Sequence, residues 1–204
     1  MQKINELPVY DALISTDDTS DIEMNFVALV DFPAIKKNFL AFSENKPLLF
    51  IDNERRIISG AFMLADTPIY RRDADGEEYY TVFRPETIYA MVQKFFKKGY
   101  QNNVNAMHDE NLTLNNVVIF ESFISDKSRG IMPMIGFEDA PEGSWFGSMH
   151  VQDDATWAKV RSGEFKGFSI EGFFTMKKSD KPVTEQALSD DDLLNKLKEL
   201  LKQI

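Results

Sequence analysis

The sequence predicts a mainly β fold of the α+β class, in which the strands form a barrel or a sandwich with a few packed helices. Short runs of β-branched and aromatic residues, separated by polar turn segments, fill the first part of the chain. Helical periodicity is confined to a few stretches. The 204 residues, 43% of them hydrophobic, suffice for one domain with a sizeable core and an appendage.

The first part of the chain is predicted to consist of six strands. Each run is bounded by residues that favour turns, such as Asp, Asn and Ser. The runs cover residues 9–15, 23–30, 48–52, 56–64, 69–72 and 79–83. Asp75-Gly76 separates the last two and predicts a tight hairpin between them.

A helix is predicted to begin at Pro85 and to end before Gly99. Its apolar residues recur at helical spacing and form a single stripe, which favours packing against the core. They are Ile88, Met91, Val92, Phe95 and Phe96.

The second half of the core is predicted to contain two strands, a short helix and a final strand. The first three of these elements cover residues 117–125, 144–151 and 153–162. Ser169 follows on the final strand, in an apolar run between Gly167 and Gly172. The core domain therefore covers residues 1–176.

The C-terminal part is predicted to form a linker and a helical tail. Residues 177–188 are polar and read as a linker, and residues 189–204 as a capped amphipathic helix. The apolar seam of that helix consists of Leu193, Leu197, Leu200 and Ile204. So short a helix is marginal alone, so we expect it to dock on a partner, on its own core or on a second copy.

Composition excludes several classes of function. A formal net charge of −10 argues against binding to nucleic acid, which needs clustered Lys and Arg. The chain has no Cys, so disulfides, thiolate metal sites and a Cys nucleophile are excluded. No signal peptide is visible, and no apolar run approaches the ~20 residues of a membrane helix. The sequence thus predicts a cytosolic protein, or one packaged from the cytosol.

Two residues are candidates for nucleophilic catalysis. Ser169 is either a packing residue or a nucleophile, and the flanking Gly167 and Gly172 would let a peptide approach closely. His108 lies at a polar boundary, where it is either a general base or a surface residue of a loop. The residues alone leave both alternatives open.

The strand at 117–125 contains one charged residue, Glu121. Its neighbours on the same face are apolar, so the carboxylate either orients an imidazole or lies on a half-exposed strand. His150, the second of only two histidines, is either a partner to His108 or an ordinary strand residue. A metal site built from His108, Asp109 and Glu110 is a weaker alternative, because adjacent residues do not converge on one ion.

His108-Asp109, followed about sixty residues later by a glycine-flanked segment that ends in Ser169, resembles a known pattern. It is similar to the prohead maturation proteases of tailed bacteriophages, specifically the XkdF-like serine proteases, which are relatives of the herpesvirus assemblin fold. The resemblance extends over most of the core. It includes residues 26–35, 59–63, 68–73, 121–124, 143–146 and 154–160.

The resemblance implies an assemblin-like β-barrel in which Ser169 is the nucleophile and His108 the general base. Phage relatives use an acid as the third member, which favours Glu121, whereas the assemblin pattern would select His150. We therefore expect Glu121→Ala to slow cleavage more than His150→Ala. The loop that contains Arg129 and Gly130 is the candidate oxyanion hole.

The resemblance also implies the partners and location of the protein. The substrates would be capsid and scaffold precursors and the protein itself, and self-cleavage would fall in the exposed linker. The protein would act in the host cytoplasm and then inside the prohead, without a cofactor. Both the family and the apolar seam of the predicted C-terminal helix are compatible with a homodimer. The other function considered is a catalytically silent assembly or scaffold module with the same fold.

Overall fold

The computed structural model describes residues 2–4, 6–31 and 49–183. This part of the chain is mainly β, with 13 strands in three sheets and two α-helices. The mainly β class is therefore confirmed. The predicted closed barrel is not seen among the described residues, because the strands divide into three separate sheets.

The first sheet gathers strands from both ends of the described chain. Its strands are β1 (Lys3–Ile4), β2 (Leu7–Leu13), β6 (Ile69–Arg72), β7 (Glu78–Phe83) and β13 (Thr175–Lys178). The order is β1-β2-β7-β6, and β13 also pairs with β2. The β2–β7 pairing is parallel, and the other pairings are antiparallel.

The second sheet is antiparallel throughout. Its strands are β4 (Leu49–Asp52), β5 (Ile57–Met63), β10 (Val117–Ile124) and β11 (Trp145–Val151). They lie in the order β10-β11-β5-β4. A register shift interrupts β10 between Ile119 and Glu121.

The third sheet carries the candidate site. Its strands are β3 (Met24–Val30), β8 (Val104–Ala106), β9 (Asp109–Thr113) and β12 (Gly167–Gly172). They lie in the order β12-β3-β8-β9, with β3 and β8 parallel and β12 antiparallel to β3. The parallel pair places residues from opposite halves of the chain side by side.

The two helices begin and end close to the predicted residues. Helix α1 covers Pro85–Lys97 and is followed by Gly99 with a φ of 76°, in the left-handed region that favours glycine. Helix α2 covers Asp154–Ser162, and the Asp153 side chain caps it by accepting a hydrogen bond from the N–H of Thr156. Side-chain and backbone hydrogen bonds from Thr156 hold the pKa of Asp153 below its usual value.

One hydrophobic core joins the three sheets and both helices. Phe62 of β5 lies at its centre, with ring centroids 4.7 Å from Trp145 and 4.5 Å from Phe168. Helix α1 adds Phe95, and α2 adds Trp157 and Val160. Because Phe168 is fully buried in this core, β12 is held firmly, and with it the neighbouring Ser169.

The folded region extends beyond the predicted domain boundary. Residues 177 and 178 belong to β13, and Ser179 and Val183 are buried. The predicted linker at 177–188 is described only as far as residue 183, and within that part Ser179 and Val183 are buried while the other residues are exposed. The predicted helix at 189–204 lies outside the described residues.

A buried guanidinium ties this C-terminal segment to the rest of the core. Arg84 is 4% exposed and donates to the carboxylates of Asp11 and Asp66 at 2.8 and 2.9 Å. It also donates to Ser179 Oγ and to the carbonyl oxygens of Lys181 and Pro182. All its donors serve contacts between distant parts of the chain.

Gly172 is required by the close approach of β3. A Cβ at this position would lie 2.6 Å from Met24 Cα and 2.9 Å from the Glu23 carbonyl carbon. The space at Gly172 is therefore occupied by backbone of the same chain, not left open for a peptide.

Gly172→Ala should lower the free energy of unfolding by about 1–3 kcal/mol, because neither backbone can move without strain. Urea unfolding measures the change. Gly163→Ala is a useful comparison, since Gly163 has open space around it and only its φ of +76° opposes a side chain. Equal stability of Gly172→Ala and the unaltered protein would show that β3 yields to the added methyl group.

No helix within residues 2–4, 6–31 and 49–183 is long and apolar enough to cross a membrane.

Candidate active site

His108 lies in the two-residue turn between β8 and β9. Met107 and His108 have φ values of 56° and 60°, as a type I′ hairpin turn requires. Neither residue is glycine, so this backbone costs about 1–3 kcal/mol per residue. The turn raises the imidazole above the sheet, where 43% of its side chain is exposed.

A carboxylate stands beside this imidazole. His108 Nδ1 lies 2.8 Å from Oε1 of Glu171, on β12. Asn105 Nδ2 donates to the same oxygen, also at 2.8 Å. Because an ionised carboxylate only accepts, the proton of neutral His108 lies on Nδ1, and Nε2 keeps its lone pair. The imidazole is thus in the tautomer that a general base requires.

Ser169 lies two residues before Glu171, on the same face of β12. Alternate residues of the third sheet belong to the hydrophobic core, which places the intervening ones on the opposite face. The core residues are Val27, Leu29, Val104, Ala106, Phe168 and Ile170. Ser169, Glu171 and Asn105 therefore share the other face with His108, which contacts Glu171.

The register places Ser169 and Asn105 directly across β3 from each other. Both residues pair with Ala28 of β3, one on each side, so a single small side chain lies between them. Ser169 is 7% exposed, and Asn105 is fully buried. Within the described part of the chain, Ser169 Oγ has no hydrogen-bond partner. The site thus contains a serine hydroxyl, a histidine whose Nε2 has no partner within the described residues, and a carboxylate beside Nδ1 of that histidine.

A family model described as "Putative phage serine protease XkdF" matches residues 47–177. The chain belongs to this family. The resemblance to the XkdF-like serine proteases is therefore confirmed. The matched residues include His108, Ser169 and Glu171. The match begins after β3, the strand that separates Ser169 from Asn105. No curated protein and no solved structure matched the chain.

In this member of the phage serine protease family, Glu121 and His150 lie away from His108, on the second sheet. Glu121 is exposed on β10, opposite Ser148 of β11, and its carboxylate has no ion pair among the described residues. His150 Nδ1 accepts a hydrogen bond from Gln152 Nε2 at 3.3 Å. The structure therefore joins Glu171 to His108, and joins neither Glu121 nor His150 to it.

The predicted oxyanion loop is a closed turn after β10. The N–H of Arg129 donates to Asp126, and the N–H of Gly130 donates to the Lys127 carbonyl oxygen at 3.1 Å. Both groups are therefore already used within the turn. The structure does not present them to a developing negative charge.

The metal alternative gains no support from the site. His108 Nδ1 is engaged by Glu171, and Asp109 also takes part in an interaction. Within the ranges that the structure describes, no group of three or more His, Cys, Asp or Glu is arranged to hold a metal ion. The side chain of Glu110 is not among those that the structure describes.

One cavity of the protein is lined by other residues than those of the candidate site. This open cavity, of about 1160 Å³, lies between α1 and β10. Arg129 and Asp126 line it, whereas Ser169, His108 and Glu171 do not. Chemistry and side-chain geometry, rather than cavity size, identify the site.

Sequence reasoning missed Glu171 and Asn105. A signal for Glu171 was present, because residues two apart on a strand share a face, and Glu171 follows Ser169 at that spacing. No comparable signal existed for Asn105. Its position beside Glu171 depends on β3, which pairs with β12 on one side and with β8 on the other.

Proposed function

We propose that the chain is a serine endopeptidase in which Ser169 is the nucleophile, His108 the general base and Glu171 the carboxylate that orients His108. The observation that carries the proposal is the 2.8 Å contact from Glu171 Oε1 to His108 Nδ1, on the face of β12 that also holds Ser169. Membership of a phage serine protease family supports the same chemistry. Glu171 replaces Glu121 in the role of the third residue.

The arrangement supports acyl transfer in two steps. Nε2 of His108 takes the Ser169 hydroxyl proton as Oγ bonds to the scissile carbonyl carbon, and the imidazolium then gives that proton to the departing amine. A water molecule, activated by the same nitrogen, hydrolyses the acyl-serine and restores the hydroxyl. Glu171 stabilises the positive imidazolium in both steps. Ser169 Oγ and Nε2 must approach each other when substrate binds, since catalytic hydrogen bonds often tighten only in the complex.

The proposed substrates are scaffold and capsid precursors of the prohead, because the family is one of phage proteases. The protein would act in the host cytoplasm and then inside the prohead, as a monomer or a homodimer. Self-cleavage would occur after residue 183, because Ser179, Lys181 and Pro182 are all held by Arg84. Of the predicted linker, this leaves residues 184–188.

A second candidate function is a catalytically silent assembly module with the same fold. One observation favours it: Ser169 Oγ makes no hydrogen bond to His108 among the described residues. A hydroxyl that never meets its base would not be activated.

Reaction with a fluorophosphonate separates the two functions. The endopeptidase should be labelled at Ser169, and trypsin releases a peptide, residues 167–177, in which Ser169 is the only serine. Mass spectrometry of that peptide measures the rate of labelling. No labelling of the native protein above the level of the urea-unfolded protein would favour the silent module.

The same assay tests the third residue. Glu171→Gln should slow labelling by roughly 10²–10⁴-fold, because the amide does not stabilise an imidazolium and does not fix the Nδ1–H tautomer. Glu121→Gln is the matched control and should leave the rate unchanged. The opposite order would restore Glu121 as the catalytic acid and remove Glu171 from the proposal.

A further inference from the structure

Asn105 is an unusual polar residue for its position. It is fully buried in the middle of β8, between Val104 and Ala106 of the hydrophobic core. Its side chain leaves the core face and donates from Nδ2 to Glu171 Oε1 at 2.8 Å. The same oxygen also accepts the hydrogen bond from His108 Nδ1, so Asn105 and His108 share one acceptor.

The orientation of the Asn105 amide follows from this contact. A carboxylate cannot donate, so the nitrogen must face Glu171 and the oxygen must face away. That oxygen, Oδ1, is buried and has no hydrogen-bond partner among the described residues. An orphaned acceptor indicates that something other than stability determines this residue, since buried polar groups are nearly always paired.

We propose that Asn105 is a positioning residue, which holds the Glu171 carboxylate against His108 and thereby fixes the His108 tautomer. The inference rests on the proposed function only for its catalytic consequence. Glu171 is half-buried on a strand, and an unrestrained glutamate would sample several rotamers there. The donated hydrogen bond selects the rotamer in which Oε1 faces the imidazole.

The tautomer of His108 is a readout that does not depend on activity. The chain contains only two histidines, so a His150→Gln background leaves one imidazole to observe by ¹⁵N NMR. The unaltered site should show His108 with its proton on Nδ1. Asn105→Ala should convert it to a mixture of the two tautomers, and Glu171→Gln should abolish the preference.

Asn105→Asp separates hydrogen bonding from shape. It keeps the shape of the side chain but replaces the donor with a second carboxylate beside Glu171, and the like charges oppose each other. Because the side-chain volume is kept, a changed His108 tautomer in this variant reports on the lost donor and the added charge rather than on lost packing. We therefore expect loss of the Nδ1–H preference near neutral pH in Asn105→Asp as well.

Asn103→Ala is the matched control. Asn103 is also an asparagine beside β8, and its Nδ2 donates to the Asn25 carbonyl oxygen at 3.0 Å, away from Glu171. Its removal should leave the His108 tautomer unchanged. An unchanged tautomer in folded Asn105→Ala and Asn105→Asp would overturn the proposal.

The unaltered protein gives a check that does not depend on the folding of any variant. One Asn105 side-chain amide proton should shift as the Glu171 carboxyl titrates, because it is bonded to that carboxylate. An Asn105 amide that does not respond to Glu171 would also overturn the inference.

Catalysis supplies the second readout. Asn105→Ala should lower kcat about 10²-fold through misplacement of the base, with KM nearly unchanged. If the tautomer changes but the unaltered protein cleaves nothing, the positioning role stands and the endopeptidase function fails. If the protein is active and the tautomer does not change, the positioning role fails alone.

Discussion

Ser169→Ala should abolish cleavage while the fold persists. Because the proposed mechanism assigns the nucleophile to this hydroxyl, its removal should lower the cleavage rate at least 10³-fold. The cost in stability should be below about 1 kcal/mol, because Ser169 Oγ has no hydrogen-bond partner among the described residues to leave unpaired. Mass spectra of the intact chain over time, and gels of co-expressed head precursors, measure cleavage. Thermal unfolding measures stability.

Ser148→Ala is the matched control for this experiment. Ser148 is also a buried strand serine, 3% exposed, but its Oγ lies 2.8 Å from Ser59 Oγ. Its replacement should lower stability by about 1 kcal/mol and leave cleavage intact. The two serines therefore predict opposite patterns: activity lost with stability kept at position 169, and stability lowered with activity kept at position 148. Continued processing by Ser169→Ala would show that the nucleophile is another residue.

The sequence predicted the elements that local signals determine. The six early strands were placed within about two residues of their observed bounds, because alternation and turn residues act over short distances. Pro85 and Gly99 marked the two ends of α1 for the same reason. Ser169 and His108 were selected through a resemblance, and the structure places them on one sheet and one face.

The third residue could not be predicted in the same way. Glu121 was predicted because it interrupts an apolar run in the sequence. A register shift in β10 leaves its side chain exposed. Glu171 is the carboxylate that contacts His108, and this contact depends on the pairing of β12 with β3 and of β3 with β8. Those pairings join residues 28, 105 and 169, which are too far apart in the chain for any local pattern to relate them.

The polar segment after residue 176 shows a related limit of local sequence signals. Residues 177–183 are polar and contain Pro182, which is typical of linkers. In the structure β13 pairs with β2, and the following backbone is bound by a guanidinium that lies about a hundred residues earlier. A polar, mostly exposed segment can be held against the fold when its hydrogen-bond partner is a buried charge. Arg84 is therefore the residue whose replacement tests this part of the fold.

Arg84→Met should lower the free energy of unfolding by about 3–5 kcal/mol, a large share of the stability of a typical domain. The loss has two sources. The Asp11 carboxylate, whose side chain is 10% exposed, would remain buried without its cation. The segment from Ser179 to Pro182 would also lose its three hydrogen bonds to the guanidinium. Urea unfolding measures the first loss, and faster amide exchange at residues 179–183 measures the second.

Two further variants determine which source dominates. Lys181→Met removes an exposed ion pair with Glu86 in the same segment, and it should change stability by no more than about 1 kcal/mol. Adding Asp11→Leu to Arg84→Met removes the buried charge, so this double variant should be more stable than Arg84→Met alone. If the double variant recovers nothing, the anchoring of residues 179–182 outweighs the unpaired carboxylate. If Arg84→Met proves as mild as Lys181→Met, the C-terminal segment is held by β13 alone, and self-cleavage before residue 183 becomes sterically open.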